Sequence, residues 1–161
     1  MNPLDTDKFS QISYYRTLPT KERPVREQMN LQTSFHDLSI VYGFNESTID
    51  IIRANDGIGK FKVENNLLPV INDLAFITGL ENTIPIAAGD PRANVNPWLL
   101  TLQMVFEWED NHVAGLISSS GVAVENVFEE AHRIVIAEYQ NIIYSEFLPV
   151  ILGKENMKHW G

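Results

Sequence analysis

The run Gly89-Asp90-Pro91-Arg92-Ala93-Asn94 places an arginine on a rigid turn just ahead of a helix start. A guanidinium is always charged and presents its N–H donors in a fixed fork. The placement therefore suits holding or polarising an anion, a carboxylate or a peroxide oxygen. The same residues also permit a plainer arrangement, in which Arg92 pairs with Asp90 across the turn. A second candidate is Thr33-Ser34-Phe35-His36-Asp37-Leu38-Ser39. Its oxygen-bearing side chains at 33, 37 and 39 fall on alternate positions, so an extended loop would point them to one side. Hard oxygen donors suit calcium, although one carboxylate alone makes a weak site. The competing reading is a half-buried strand whose hydroxyls bond to backbone.

A third group, Glu107-Trp108-Glu109-Asp110-Asn111-His112, carries three acids and a histidine on one predicted helix. Glu109 and His112 are three apart and face the same way, and Glu129 and His132 repeat the spacing. Two such pairs on neighbouring helices are half of a di-iron carboxylate pattern. The helices that would supply the remaining glutamates are not evident, which leaves solvated or salt-bridged faces as the plainer reading. Asn45-Glu46-Ser47 is a glycosylation sequon whose first residue also suits a helix N-cap. No glycine-rich phosphate loop, Ser–His–Asp signature or basic aromatic patch is present.

Composition narrows the classes. The chain has 161 residues, 44% of them apolar and 20% charged, which is enough apolar surface for one domain. Its net charge is -9. That sign opposes a phosphate backbone, so nucleic acid is not an expected partner. Residues 1–80 hold 10 acids and 8 bases, and residues 81–161 hold 11 and 4, so the second half carries most of the imbalance. There is no cysteine, which removes disulfides, thiol nucleophiles and cysteine-bound metals. No apolar run reaches the length of a membrane span, and the first residues lack the pattern of a signal peptide.

The elements that must position these groups are mainly helical. Residues 1–23 read as an extended segment that docks on something else. Residues 31–42 are ambiguous between strand and helix and are stopped by Gly43. A helix is predicted over 47–55, with Ser47 and Asp50 forming a capping box. Asn55-Asp56-Gly57 breaks it, and a stretch with little regular pattern, rich in glycine and proline, follows to Asn96. From there the pattern changes. Asn96 as N-cap and Pro97 at the first position start a long helix that runs to Ser118-Ser119-Ser120-Gly121. Its apolar residues include Trp98, Leu99, Leu102, Val105, Phe106, Val113, Leu116 and Ile117. A second helix is predicted from Val122 to Leu148, roughly 40 Å long at 1.5 Å per residue, with Pro149 kinking or ending it and Gly153 as the C-terminal stop. Both helices are apolar over more than one face, which predicts burial on several sides.

Taken in order, the motifs resemble the animal haem peroxidase family. The resemblance is carried by Arg26-Glu27-Gln28-Met29-Asn30, Thr33 to Ser39 and Val41-Tyr42-Gly43. Ala88 to Pro97, Phe128 to Gln140 and Tyr144-Ser145-Glu146-Phe147-Leu148-Pro149 complete it, and the match covers residues 24–153. It implies that the chain is a slice of the all-helical haem peroxidase fold: two long buried helices with long irregular segments. It implies haem and calcium as cofactors, hydrogen peroxide and small halide or organic electron donors as reactants, and the rest of the peroxidase domain as a partner. It also implies a secreted or extracellular setting.

By the same resemblance Arg92 is the distal arginine. The side chains of Thr33, Asp37 and Ser39, with backbone carbonyls of Thr33 and Phe35, belong to a calcium site. The family's distal histidine and its neighbouring calcium-binding aspartate precede the stretch this chain covers, and the proximal histidine follows it. The slice is thus expected to be inactive alone. Val95 stands where many members carry the glutamate that esterifies haem, so no ester is expected here. The family's Arg-Glu-His-Asn-Arg run reads Trp108-Glu109-Asp110-Asn111-His112. The alternative expectation is a haem-free truncated relative acting as a binding or structural module.

Overall fold

The computed structural model describes residues 27–28, 30, 32–54, 56–65, 67–70, 86–121 and 124–160. The expected extended segment 1–23 and the middle of the irregular stretch, 71–85, lie outside the described residues. The described part is mainly helical, as the sequence implies. It begins with α1 (Ser39–Tyr42) and α2 (Glu46–Ile52). A 3-10 turn (Pro91–Val95) then leads into α3 (Pro97–Ser119). Next comes α4 (Val124–Ile142), followed by a wider π-helical turn (Ile143–Phe147), α5 (Leu148–Leu152) and α6 (Lys154–Trp160). Among the described residues β pairing is limited to single bridges, such as Arg53 with Phe61 and Val70 with Ile86.

The core lies where α3 and α4 pack side by side and the N-terminal helices close over them. Leu38, Val41, Tyr42, Ile52 and Phe61 meet Val113 and Ala114 of α3 and Val127, Phe128, Ala131 and Val135 of α4. Tyr42, Phe61 and Phe128 form its aromatic centre, with ring centroids 5.3 to 6.3 Å apart, the range in which tilted and edge-on ring contacts are favourable. The Arg53 guanidinium covers the Phe128 ring at 4.4 Å. A smaller cluster of Leu68, Ala88 and Ala93 packs near Leu100 and Met104.

Asn96 caps α3 by accepting from the Trp98 N–H at 2.8 Å, with Pro97 at the first position as expected. The ambiguous stretch resolves as a loop ending in one helical turn at Ser39. The helix predicted over 47–55 starts one residue earlier, and its cap is Asn45 rather than Ser47. Asn45 Oδ1 accepts from the Thr48 N–H at 2.8 Å, because its extended backbone turns the short amide back over the first turn. The second long helix does not stop at Pro149. A wider turn, closed by the Leu148 N–H on the Ile143 carbonyl, comes first. Proline cannot donate and its ring crowds the carbonyl four residues back; the extra residue in the turn accommodates both. Helix then continues to Gly153, whose positive φ of 83° ends it.

The largest difference concerns α3. Trp98, Leu99, Leu102, Val105 and Leu116, expected inside, are exposed, Trp98 by 78%. The buried stripe is instead Gln103, Glu107, Asp110, Val113 and Ala114. The expectation that α3 carries apolar surface on more than one side holds, but the side packed within this chain is the one with the polar residues.

Candidate functional site

The Arg92 turn is held from three directions. Asn94 braces its base, accepting from the Ile86 N–H at 2.9 Å and donating to the Ile86 carbonyl at 3.0 Å. Gly89 lies flat against the end of α1: a Cβ there would stand 2.1 Å from the Val41 carbonyl oxygen and 2.6 Å from the Gly43 nitrogen. Only glycine permits that approach. Asp90, almost fully buried, caps the 3-10 turn by accepting from the Arg92 N–H at 2.8 Å.

The Asp90 carboxylate also takes the Arg92 side chain, from Nε at 2.9 Å and from Nη2 at 2.6 Å. The plainer sequence reading, a pair across the turn, is therefore realised. It does not consume the guanidinium. The Arg92 side chain is 56% exposed, and among the described residues no hydrogen bond is made by Nη1. The Asp90 hydrogen bond raises the guanidinium pKa further, so the charge is permanent. Arg92 opens on a cavity of ≈ 200 Å³ lined also by Ile40, Asp90, Ala93, Leu99 and Gln103. An anion or a polarised oxygen placed there would meet a fixed cation beside apolar walls, where electrostatic attraction is weakly screened. Leu99 belongs both to this cavity and to the exposed apolar side of α3. A large flat apolar group such as a porphyrin needs such a surface, and in that respect these residues fit haem.

The second candidate, the loop before α1, gathers its oxygens. Asp37 Oδ1 accepts from the Ser39 N–H at 3.0 Å. Burial would raise the Asp37 pKa, but the Ser39 backbone N–H and the nearby Ser39 and Thr33 hydroxyls outweigh it and hold the carboxylate below its usual range. Thr33 Oγ1 accepts from the Phe35 N–H at 3.1 Å, while the Phe35 ring points outward. The loop is thus a turn folded around a carboxylate, not the half-buried strand. Its donor set is all oxygen with one formal charge, which fits calcium. The loop leads into α1 at Ser39, and Gly89 of the Arg92 turn packs against Val41 and Gly43 at the far end of that helix.

The Glu-x-x-His pairs do not come together. Among the described residues no group of three or more His, Asp or Glu side chains is placed to hold a metal ion. Glu109 lines an open groove of ≈ 380 Å³ between α3 and α4 with Val105, Phe106, Glu138, Asn141 and Ile142. Burial and the Glu109 charge raise the Glu138 pKa there. His132 lies elsewhere, against Tyr42 with ring centroids 3.7 Å apart, and burial lowers its pKa.

Glu107 and Asp110, read from sequence as solvated or salt-bridged, are fully buried and make no ion pair among the described residues. Tyr42 donates its hydroxyl to Asp110 Oδ1 at 2.8 Å. Both Glu107 oxygens, Asp110 Oδ2 and Gln103 Oε1 have no hydrogen-bond partner among the described residues. Burial, reinforced by Asp110, pushes the Glu107 carboxyl up to about 9. Asp110 rises to about 7, burial outweighing the bond from Tyr42. Glu107 is therefore a neutral acid at pH 7, the usual resolution for a buried carboxyl without a cation. Gln103, Glu107, Asp110 and Ala114 share one side of α3 by their helical spacing, but that spacing does not mark this side as the buried one.

A fold of packed helices, an arginine locked on a Gly-Asp-Pro-Arg turn and an oxygen-rich loop agree with what comparison with known proteins finds. The family model described as animal haem peroxidase matches residues 2–161, and the chain belongs to that family. It is 38% identical over 141 residues to a chorion peroxidase of Drosophila melanogaster, covering 83% of this chain and 17% of that protein. It is 34% identical to peroxidase mlt-7 of Caenorhabditis elegans, over 86% of this chain and 20% of that protein. With human myeloperoxidase the identity is 30%, over 99% of this chain and 24% of that protein. The chain thus spans about a fifth of the length of these relatives. Among the described residues no helix is long and apolar enough to cross a membrane.

Proposed function

We propose that this chain is the part of a peroxide-reducing haem peroxidase that supplies the distal arginine, Arg92, and most of one calcium loop. The observation that carries this reading is the Asp90–Arg92 fork. The carboxylate fixes Nε and Nη2 and leaves Nη1 directed away from the pair, beside a small cavity continuous with an apolar helix side. When bound, haem supplies the redox chemistry, the reduction of peroxide coupled to oxidation of a halide or organic donor.

Arg92 would orient hydrogen peroxide and stabilise the negative charge that develops on the departing oxygen as the O–O bond breaks. A donor fixed beforehand needs no reorganisation at that moment. Asp90 would aim it. Ile40, Ala93 and Leu99 would limit water around it. Thr33, Asp37 and Ser39, with the carbonyls of Thr33 and Phe35, would hold calcium and set the start of α1 against the Arg92 turn. Among the described residues no histidine lines the cavity with Arg92, so in this reading a group outside them moves the protons of peroxide. In this reading the chain works as one piece of a secreted or extracellular enzyme and is inactive alone.

A haem titration of the 161-residue chain, followed by visible absorption, tests the division of labour. No specific Soret band is expected from the isolated chain. A saturable, histidine-ligated band at one equivalent would mean the chain builds its own pocket, and the fragment reading would fall. The haem-free module reading is separated by the full-length protein: purification without haem, and no haem uptake, would favour it.

A further inference from the structure

The calcium loop has little core of its own, yet its tip is gripped from 104 residues away in sequence. Gln140 on α4 donates Nε2 to the His36 carbonyl at 2.9 Å. Two rings from the same helical rod meet the His36 imidazole edge-on, Tyr139 at 6.2 Å and Tyr144 at 6.3 Å between centroids. Tyr139 is backed in turn by Phe106 of α3 at 5.6 Å. Tyr144 rides on the wider π-helical turn, which opens at Ile143. The two rings are five residues apart along the rod, with the wide turn opening between them, and both reach the same imidazole. The residue they hold lies between Phe35 and Asp37, two members of the candidate cation set.

We infer that Gln140, Tyr139 and Tyr144 form a clamp that presets the 33–39 loop for its cation. They are positioning residues on α4 and its wide turn, without which the oxygen donors do not stay converged. This rests on the reading of the loop as a cation site. The physical argument is one of preorganisation. A short exposed loop with a single carboxylate gains little charge attraction, so its affinity depends on how much order it must acquire on binding. Fixing the His36 carbonyl and ring fixes the backbone on both sides of Phe35 and Asp37. The clamp also couples the loop to the α3–α4 pair through Phe106, so the cation would report on the packing of the two long helices.

The test is calcium titration of the full-length peroxidase that contains this chain, by calorimetry, with thermal unfolding in chelator as a separate readout. Gln140→Leu keeps the volume and removes the donor; Tyr144→Ala removes a ring and Tyr144→Phe restores it. Gln140→Leu and Tyr144→Ala are each expected to weaken calcium binding about five- to tenfold, the weight of one lost contact. Tyr144→Phe is expected to bind like the parent. Unfolding midpoints in chelator should change little, because the two substituted members, Gln140 and Tyr144, are exposed and lie outside the core cluster. Unchanged calcium affinity in both disruptive variants, or a loss of affinity fully matched by lower stability in chelator, would overturn the clamp. Asp37→Asn distinguishes the underlying reading. If the parent binds no calcium, or binds it regardless of Asp37→Asn, the loop is not the cation site and the clamp falls with it.

Discussion

The Asp90 carboxylate spans the backbone N–H and the guanidinium of Arg92 at once, at 2.8 Å from N and 2.6 Å from Nη2. One buried acid thereby caps the turn and aims the arginine, so the conformation of the loop and the direction of the charge cannot vary independently. In the full-length peroxidase, Arg92→Ala is expected to slow the reaction with hydrogen peroxide on the order of 10²-fold, the loss typical of a fixed charge-stabilising donor. Haem retention should fall much less. Stopped-flow mixing with peroxide and the Soret absorbance of the purified variant read the two effects. Equal losses in both would make the arginine structural.

Gly89 brings the backbone of the Arg92 turn close against Val41 of α1. Gly89→Ala is expected to destabilise the chain by about 2–4 kcal/mol, because the Val41 carbonyl it would strike is backbone and cannot rotate away. Denaturant unfolding checks this. A change of less than about 0.5 kcal/mol, the range of ordinary surface substitutions, would show that the two segments do not lie this close.

The acids beneath Tyr42 should make stability depend on pH. Folded Glu107 and Asp110 titrate near about 9 and about 7, above their ordinary values of 4.5 and 3.8. The folded chain therefore holds protons that the unfolded chain releases. Their contribution is fully present below about pH 4 and is lost as pH rises through 7 and then 9. Thermal midpoints are expected to drop by roughly 5–10 °C between pH 5 and pH 9, several kcal/mol of carboxyl desolvation at this chain length. Glu107→Gln should remove most of that slope. A slope unchanged in Glu107→Gln would assign it to other groups.

The outer side of α3 carries Trp98, Leu102 and Leu116 in solvent. Exposed apolar side chains along one helix bind hydrophobic dyes and other proteins. The isolated chain is expected to enhance the fluorescence of anilinonaphthalene sulfonate several-fold, and the double variant Leu102→Lys with Leu116→Lys should lower that signal without loss of helical circular dichroism. Dye binding indifferent to both substitutions would place the sticky surface elsewhere.

Much of this was legible along the chain, because the determinants are local. Asn96-Pro97 caps and starts α3 wherever it is put, Gly153 ends α5 by its positive φ, and the order of the short motifs carries the family. The pairing of Asp90 with Arg92 spans two residues, so it too could be foreseen. What needed the tertiary structure was the choice of side. α3 is apolar around much of its circumference, and nothing in its own periodicity says which side meets α4 and α1. Packing chose Gln103, Glu107, Asp110 and Ala114, since Tyr42 offers Asp110 a donor and Ala114 permits close approach. The same holds for the loop at 33–39. Its oxygens are spelled out in sequence, but the grip of Gln140 on His36 joins residues that only the folding of α4 across the N-terminal segment brings together.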